Sequence, residues 1–126
     1  ALSGHERMFE KKFGSDVAKI VRRLLTGFGG CSAGLTYAGL SASGDLLPCV
    51  PAPVKLGNLL EQSLEEIWVN NSLLNYIRNR GALTGSCKIC AYSDICGGCR
   101  YTAYIFNGDW LGPDASCPFV AKQVEE

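Results

Sequence analysis

Residues 87–99 read CKICAYSDICGGC, placing four cysteines in the pattern C-x2-C-x5-C-x2-C. This stretch constrains the chain more than any other. Gly97, Gly98, Ser93, Asp94 and Lys88 leave it too little apolar side chain to pack as a core segment, so the thiols must be held around something other than protein. Cys31, Cys49 and Cys117, the last followed by Pro118, bring the total to seven cysteines.

An odd number cannot pair completely. No apolar run approaches the ~20 residues that span a bilayer, and no secretory leader pattern opens the chain. The expectation is a cytoplasmic protein, where paired C-x2-C elements point to metal or redox chemistry rather than to disulfides. The formal net charge of zero gives no reason to expect nucleic acid or an anionic membrane as a partner. Residues 1–30 carry six Lys and Arg against three Asp and Glu, a bias that a solvated helix face accounts for. With 126 residues the chain is long enough for one domain with a real core.

Between residues 5 and 26, Phe9, Phe13, Val17, Ile20, Val21 and Leu24 recur at intervals of three and four, which predicts an amphipathic helix. It ends at Thr26, Gly27, Gly29 and Gly30. The segment from Cys31 to Cys49 reads as a β-hairpin, with Leu35, Tyr37 and Leu40 as strand residues and Ser43, Gly44 and Asp45 as turn. Such a hairpin brings its two outer cysteines near one another although 17 residues separate them. Residues 50–58, VPAPVKLGN, read as a connector.

Ser63 and Glu66 have capping-box spacing, which predicts a helix running to Arg80 that Asn70, Asn71 and Ser72 divide into two. Trp68 is expected to anchor the core. Residues 81–98 are expected to be loop. Residues 100–106, RYTAYIF, fit a short helix better than a strand, and the final VAKQVEE a frayed helix. His5, the sole histidine, lies at a chain end and carries no expected role. No residue is expected to be a catalytic acid or base.

Zinc knuckles are generally separated by more than ~10 residues, so that each approaches the ion independently. Five intervening residues favour an iron–sulfur cluster, whose separate iron corners accept closely spaced thiolates. Zinc stands second on this spacing and a plain disulfide third.

Taken together, C31-x12-G44-x4-C49, C87-x2-C90-x5-C96-x2-C99 and C117 resemble the SPASM domain, the auxiliary-cluster domain of many radical S-adenosylmethionine (radical SAM) enzymes. The segments GNLLEQSLEEIW, CGGCR and GDWLGPDASC add to the resemblance. It covers residues 31–120, and this chain departs from the family's usual x3 by an x2 before Cys99.

The resemblance implies a small α+β, cysteine-rich domain with a β-hairpin and helices around two auxiliary clusters, usually [4Fe–4S]. Carried over by position, Cys31, Cys49 and Cys99 would bind the first, and Cys87, Cys90, Cys96 and Cys117 the second. The first lacks a fourth thiolate. Asp45 or Tyr37 are candidates for that corner, against the plainer reading of Asp45 as a turn residue. Gly97 and Gly98 would let backbone amides reach cluster sulfur, and Arg100 is either a tuning charge beside a cluster or a surface ion-pair partner.

The C-x3-C-x2-C loop of a radical SAM barrel does not occur in these 126 residues. The expectation is therefore a portion of a larger enzyme: residues 1–30 a linking or last barrel helix, 31–120 the auxiliary-cluster domain and 121–126 a tail. S-adenosylmethionine and a third cluster would belong to the barrel domain. Further implied partners are an external carrier such as ferredoxin or flavodoxin and a peptide or tetrapyrrole substrate, the context being most similar to haem and haem d1 biosynthesis and peptide maturation. A stand-alone ferredoxin-like carrier and a structural zinc-binding module are the alternatives.

Overall fold

Among the described residues, three very short antiparallel strands and a series of mostly short helices alternate with the loops that carry the thiols. The computed structural model describes residues 8, 10–28 and 30–121. The expected helix start at residue 5, with His5 and Phe9, and the tail beyond Ala121 lie outside the described residues.

Helix α1 (Ser15–Phe28) has Asp16 in its first turn, favourably placed against the amide end of the helix. The single helix expected over 5–26 is instead interrupted at Gly14, at φ 85°, a left-handed conformation that glycine adopts without strain. Residues 10–13 are helical before the break. Phe13, Val17, Ile20 and Leu24 are 43 to 59% exposed, so the apolar stripe faces away from the rest of the described chain. Arg22 ties the helix down by donating through Nη2 to the Ala91 carbonyl at 3.2 Å and the Asp94 carboxylate at 3.2 and 3.3 Å.

Strands β1 (Gly39–Leu40), β2 (Asp45–Leu47) and β3 (Gly57–Asn58) form one sheet in that order. Gly39 faces Leu47 and Leu40 faces Leu46 across the hairpin, while Asp45 faces Asn58 on the other side. The hairpin is shorter than expected: Leu35 lies in a turn and Tyr37 makes only an isolated bridge to Ala33. The supposed connector supplies β3, because the backbone after its prolines finds hydrogen-bond partners on β2.

Helix α2 (Leu64–Asn70) starts where the Ser63 hydroxyl accepts the Glu66 amide at 3.2 Å. Asn71 ends α2 and caps α3 (Ser72–Arg78) by accepting the Leu74 amide at 3.1 Å, so the expected division falls on that residue. Leu74 and Ile77 are fully buried, each contributing about 1.5–3 kcal/mol by leaving water. A 3-10 turn (Arg80–Ala82) and helix α4 (Gly85–Lys88) lie in the segment expected to be loop. Helix α5 (Arg100–Asn107) buries Ala103 and Arg100 and closes at Gly108, and α6 (Pro118–Ala121) follows Cys117.

The core forms in two parts. Ala33, Cys49, Ala52, Ile77 and Trp110 make one, with Cys31, Tyr101 and Tyr104 packed against it. Leu83, Cys87 and Leu111 make the other. Trp110, not Trp68, is the core anchor: it is 4% exposed and stacks on Tyr104 with centroids 4.5 Å apart. Trp68 is half-buried beneath the Arg78 guanidinium at 4.7 Å, because only one side of α2 meets the sheet. Among the described residues, no helix is long and apolar enough to cross a membrane.

Candidate metal centre

Four thiols ring one cavity. Cys87 comes from α4, Cys90 and Cys96 from the turns after it, and Cys117 from the start of α6; together with Gly97, Gly98 and Asp114 they line a space of about 230 Å³. The loop is held by its own backbone, with the Cys96 amide on the Tyr92 carbonyl at 2.7 Å and the Ser93 amide on the Cys90 carbonyl at 3.1 Å. Among the described residues, no three His, Cys, Asp or Glu side chains converge as the donors of a single ion would.

Three of the four sulfurs accept a hydrogen bond. The Tyr92 amide donates to Cys90 Sγ at 3.5 Å, the Gly98 amide to Cys96 Sγ at 3.4 Å, and Arg100 Nη2 to Cys87 Sγ at 3.8 Å. Donors of this kind suit sulfur that ligates a metal cluster. Gly98 is at φ 64°, and a Cβ there would stand 2.8 Å from both Arg100 Nη2 and Asp114 Cβ and 3.3 Å from Cys87 Sγ. A side chain at this position would fill the approach to the sulfur.

Arg100 is wholly buried, which excludes the surface ion-pair reading. Its Nη1 donates to the carbonyls of Trp110 and Gly112 at 3.0 and 2.8 Å, and Nε to that of Gly98 at 3.4 Å. The buried carboxylate of Asp114, which sequence reasoning missed, lies in the same region. Burial alone would raise its pKa, but hydrogen bonds from the Cys99 and Ser116 amides and the Ser116 hydroxyl, with the Arg100 charge, hold it below the ordinary value. Asp114 sits within the segment GDWLGPDASC, yet nothing local in those letters marks its carboxylate as buried.

Cys31, Cys49 and Cys99 gather separately. Cys31 packs against the core that contains Cys49. Burial pushes the Cys49 thiol up, the Ala52 amide opposes this, and the neighbouring Cys31 and Cys99 push it up further. Such a thiol ionises readily only beside a positive charge such as a metal. Asp45 is engaged elsewhere: it pairs with Lys55 Nζ at 2.8 Å and accepts from Asn58 Nδ2 at 2.9 Å. Asp45 thus opens β2, just past the turn expected to hold it, and Tyr37 is half out in solvent. All seven cysteines are free thiols.

The two groups meet at a seam. The Cys31 amide donates to the Cys96 carbonyl at 3.3 Å, and a Cβ on Gly30 would lie 2.0 Å from that same carbonyl oxygen. Only glycine permits this approach.

Residues 31–91 match the profile of the SPASM family, described as an iron–sulfur cluster-binding domain. The chain is 39% identical over 88 residues to an AdoMet-dependent heme synthase of Methanosarcina barkeri, a match covering 70% of this chain and 25% of that protein. It is 30% identical over 95 residues to one from Nitratidesulfovibrio vulgaris, covering 75% of this chain and 26% of the relative. A PqqA peptide cyclase of Xanthomonas euvesicatoria is 33% identical over 89 residues, covering 67% and 24%. The matched segment thus spans about a quarter of each relative.

Proposed function

This chain carries a SPASM domain, an iron–sulfur cluster-binding domain, and from that premise we propose that it is the auxiliary-cluster portion of a radical SAM enzyme, holding two clusters. Cys87, Cys90, Cys96 and Cys117 hold one, and Cys31, Cys49 and Cys99 the other. The observation that carries this reading is the cavity with four thiols around it: its volume suits a polynuclear group, and three of its four sulfurs already have hydrogen-bond donors. A bound cluster of this type exchanges single electrons.

The polypeptide sets the conditions for that exchange. The Tyr92 and Gly98 amides and the Arg100 guanidinium donate to ligand sulfur and thereby favour the more negative, reduced state. Trp110, Tyr104 and the fully buried Ile77 exclude water beside Cys49. The outward apolar stripe of α1 supports residues 1–30 as the link to a barrel that carries S-adenosylmethionine and a third cluster. The domain's role is then to pass electrons between that barrel and an external carrier such as ferredoxin or flavodoxin. The heme synthases among its relatives favour a tetrapyrrole substrate, and the peptide cyclase keeps a peptide as the second candidate. Seven unpaired thiols support the reducing cytoplasm as the compartment.

Anaerobic loading with iron and sulfide, followed by iron, sulfide and zinc analysis, tests the proposal. Two [4Fe–4S] clusters give roughly eight irons and as many sulfides per chain. A folded, colourless chain with zinc and no acid-labile sulfide overturns it in favour of a zinc module.

A further inference from the structure

Arg80 opens the 3-10 turn after α3, and its guanidinium reaches the seam between the two thiol groups. Nη2 donates to the carbonyl of Cys31 at 2.9 Å and to that of Ala33 at 3.5 Å. Nε and Nη1 are buried and have no acceptor among the described residues. Nη1 lies 3.5 Å from where a Cβ on Gly97 would stand, and Gly97 falls between Cys96 and Cys99 in the chain.

Buried N–H groups are satisfied in nearly all proteins, so two orphans on one guanidinium call for an acceptor from outside the polypeptide. Arg100 makes the contrast: it is the more deeply buried, yet each of its three nitrogens has an acceptor. The acceptor that Arg80 lacks must be compatible with a cation and must lie within reach of a guanidinium anchored on the Cys31 carbonyl. Thiolate and sulfide meet both requirements, since a guanidinium is a permanent cation with a planar fork of donors.

We infer that Arg80 is the cation of the three-thiol site. Nε and Nη1 donate to sulfur of the group held by Cys31, Cys49 and Cys99, while Nη2 fixes the Cys31 backbone in the ligating position. Each thiol group then has its own guanidinium, Arg100 on Cys87 and Arg80 on the Cys31 side. This rests on the reading that those three thiols hold a cluster.

The test uses the whole chain loaded anaerobically with ferrous iron and sulfide, alongside Arg80→Met and Arg80→Lys, with each cluster's potential followed by paramagnetic resonance. A Cys96→Ala background isolates the three-thiol signal. Arg80→Met is expected to lower the potential of the three-thiol cluster and leave the other in place, with Arg80→Lys recovering part of the shift. An unchanged potential with full iron, or an equal shift in both clusters, overturns the inference. If Arg80→Met fails to load, the Cys96→Ala chain labelled with 15N at its arginine side chains decides the matter: nitrogen coupling at the remaining cluster is expected, and its absence overturns the role. Should Cys31→Ala leave iron content unchanged in the otherwise unaltered chain, the underlying cluster assignment fails, independently of Arg80.

Discussion

Asp114 Oδ2 accepts the backbone N–H of Cys99 at 2.7 Å, joining a carboxylate on the wall of the four-thiol cavity to a cysteine that stands with Cys31 and Cys49. Asp114 Oδ1 meanwhile accepts the Ser116 amide at 2.9 Å and hydroxyl at 2.7 Å, just before Cys117. Asp114→Ala takes the acceptor from the part-buried Cys99 amide and unties the turn before Cys117, and the expected loss is about 1–3 kcal/mol. Urea unfolding of the loaded chain under argon measures it. Asp114→Asn, which keeps one oxygen, should lose less.

The two thiol groups should empty separately. Cys96→Ala is expected to remove the iron of the four-thiol site and Cys49→Ala that of the other, each leaving roughly half of the approximately eight irons of the intact chain. Iron analysis with paramagnetic resonance distinguishes this from a single shared site, which either substitution would empty.

Acid should probe the hairpin. Hydrogen bonds from Lys55 and Asn58 hold the Asp45 carboxyl below its ordinary value, and Asp45 raises Lys55. The stabilising contribution of Asp45 is therefore complete above the ordinary carboxylate range and is lost as pH falls through its lowered value. That of Lys55 is complete below the ordinary lysine range and is lost as pH rises through its raised value. Thermal unfolding of the intact chain and Lys55→Met should differ most near neutral pH and converge in acid below the lowered Asp45 value. A constant difference across that range would count against the pair.

Asn71→Ala removes the cap of α3 and the 2.9 Å bond from Nδ2 to the Leu56 carbonyl. The cap alone is worth about 0.5–2 kcal/mol. Chemical denaturation should show a loss of at least that size, while Asn75→Ala, on the exposed side of the same helix, serves as the mild comparison.

Local chemistry accounts for what could be read from the letters alone. Ser63 and Asn71 announce helix ends because their side chains bond amides three residues away, and the spacing of Cys87, Cys90 and Cys96 foreshadows a loop that turns its thiols towards one cavity. Long-range packing hid the rest. Trp68 and Trp110 are equally apolar, yet only Trp110 meets the interior, and nothing near either residue decides this. Arg100 and Asp114 look like surface charges until the fold encloses them together. Residues 50–58 read as a connector because the partner strand that recruits Gly57 and Asn58 lies on the far side of three prolines.

The crossed order in which the thiols gather has a consequence for biosynthesis. Cys49 waits for Cys99, and Cys87 waits for Cys117, so the four-thiol pocket cannot close while the ribosome still withholds Cys117. A nascent chain stalled between α5 and α6 would present six sulfhydryls and one incomplete pocket to the cell. On the proposed assignment, the four-thiol group would be filled only after Cys117 is made, and messages truncated between α5 and α6 should yield a chain able to load the three-thiol group alone.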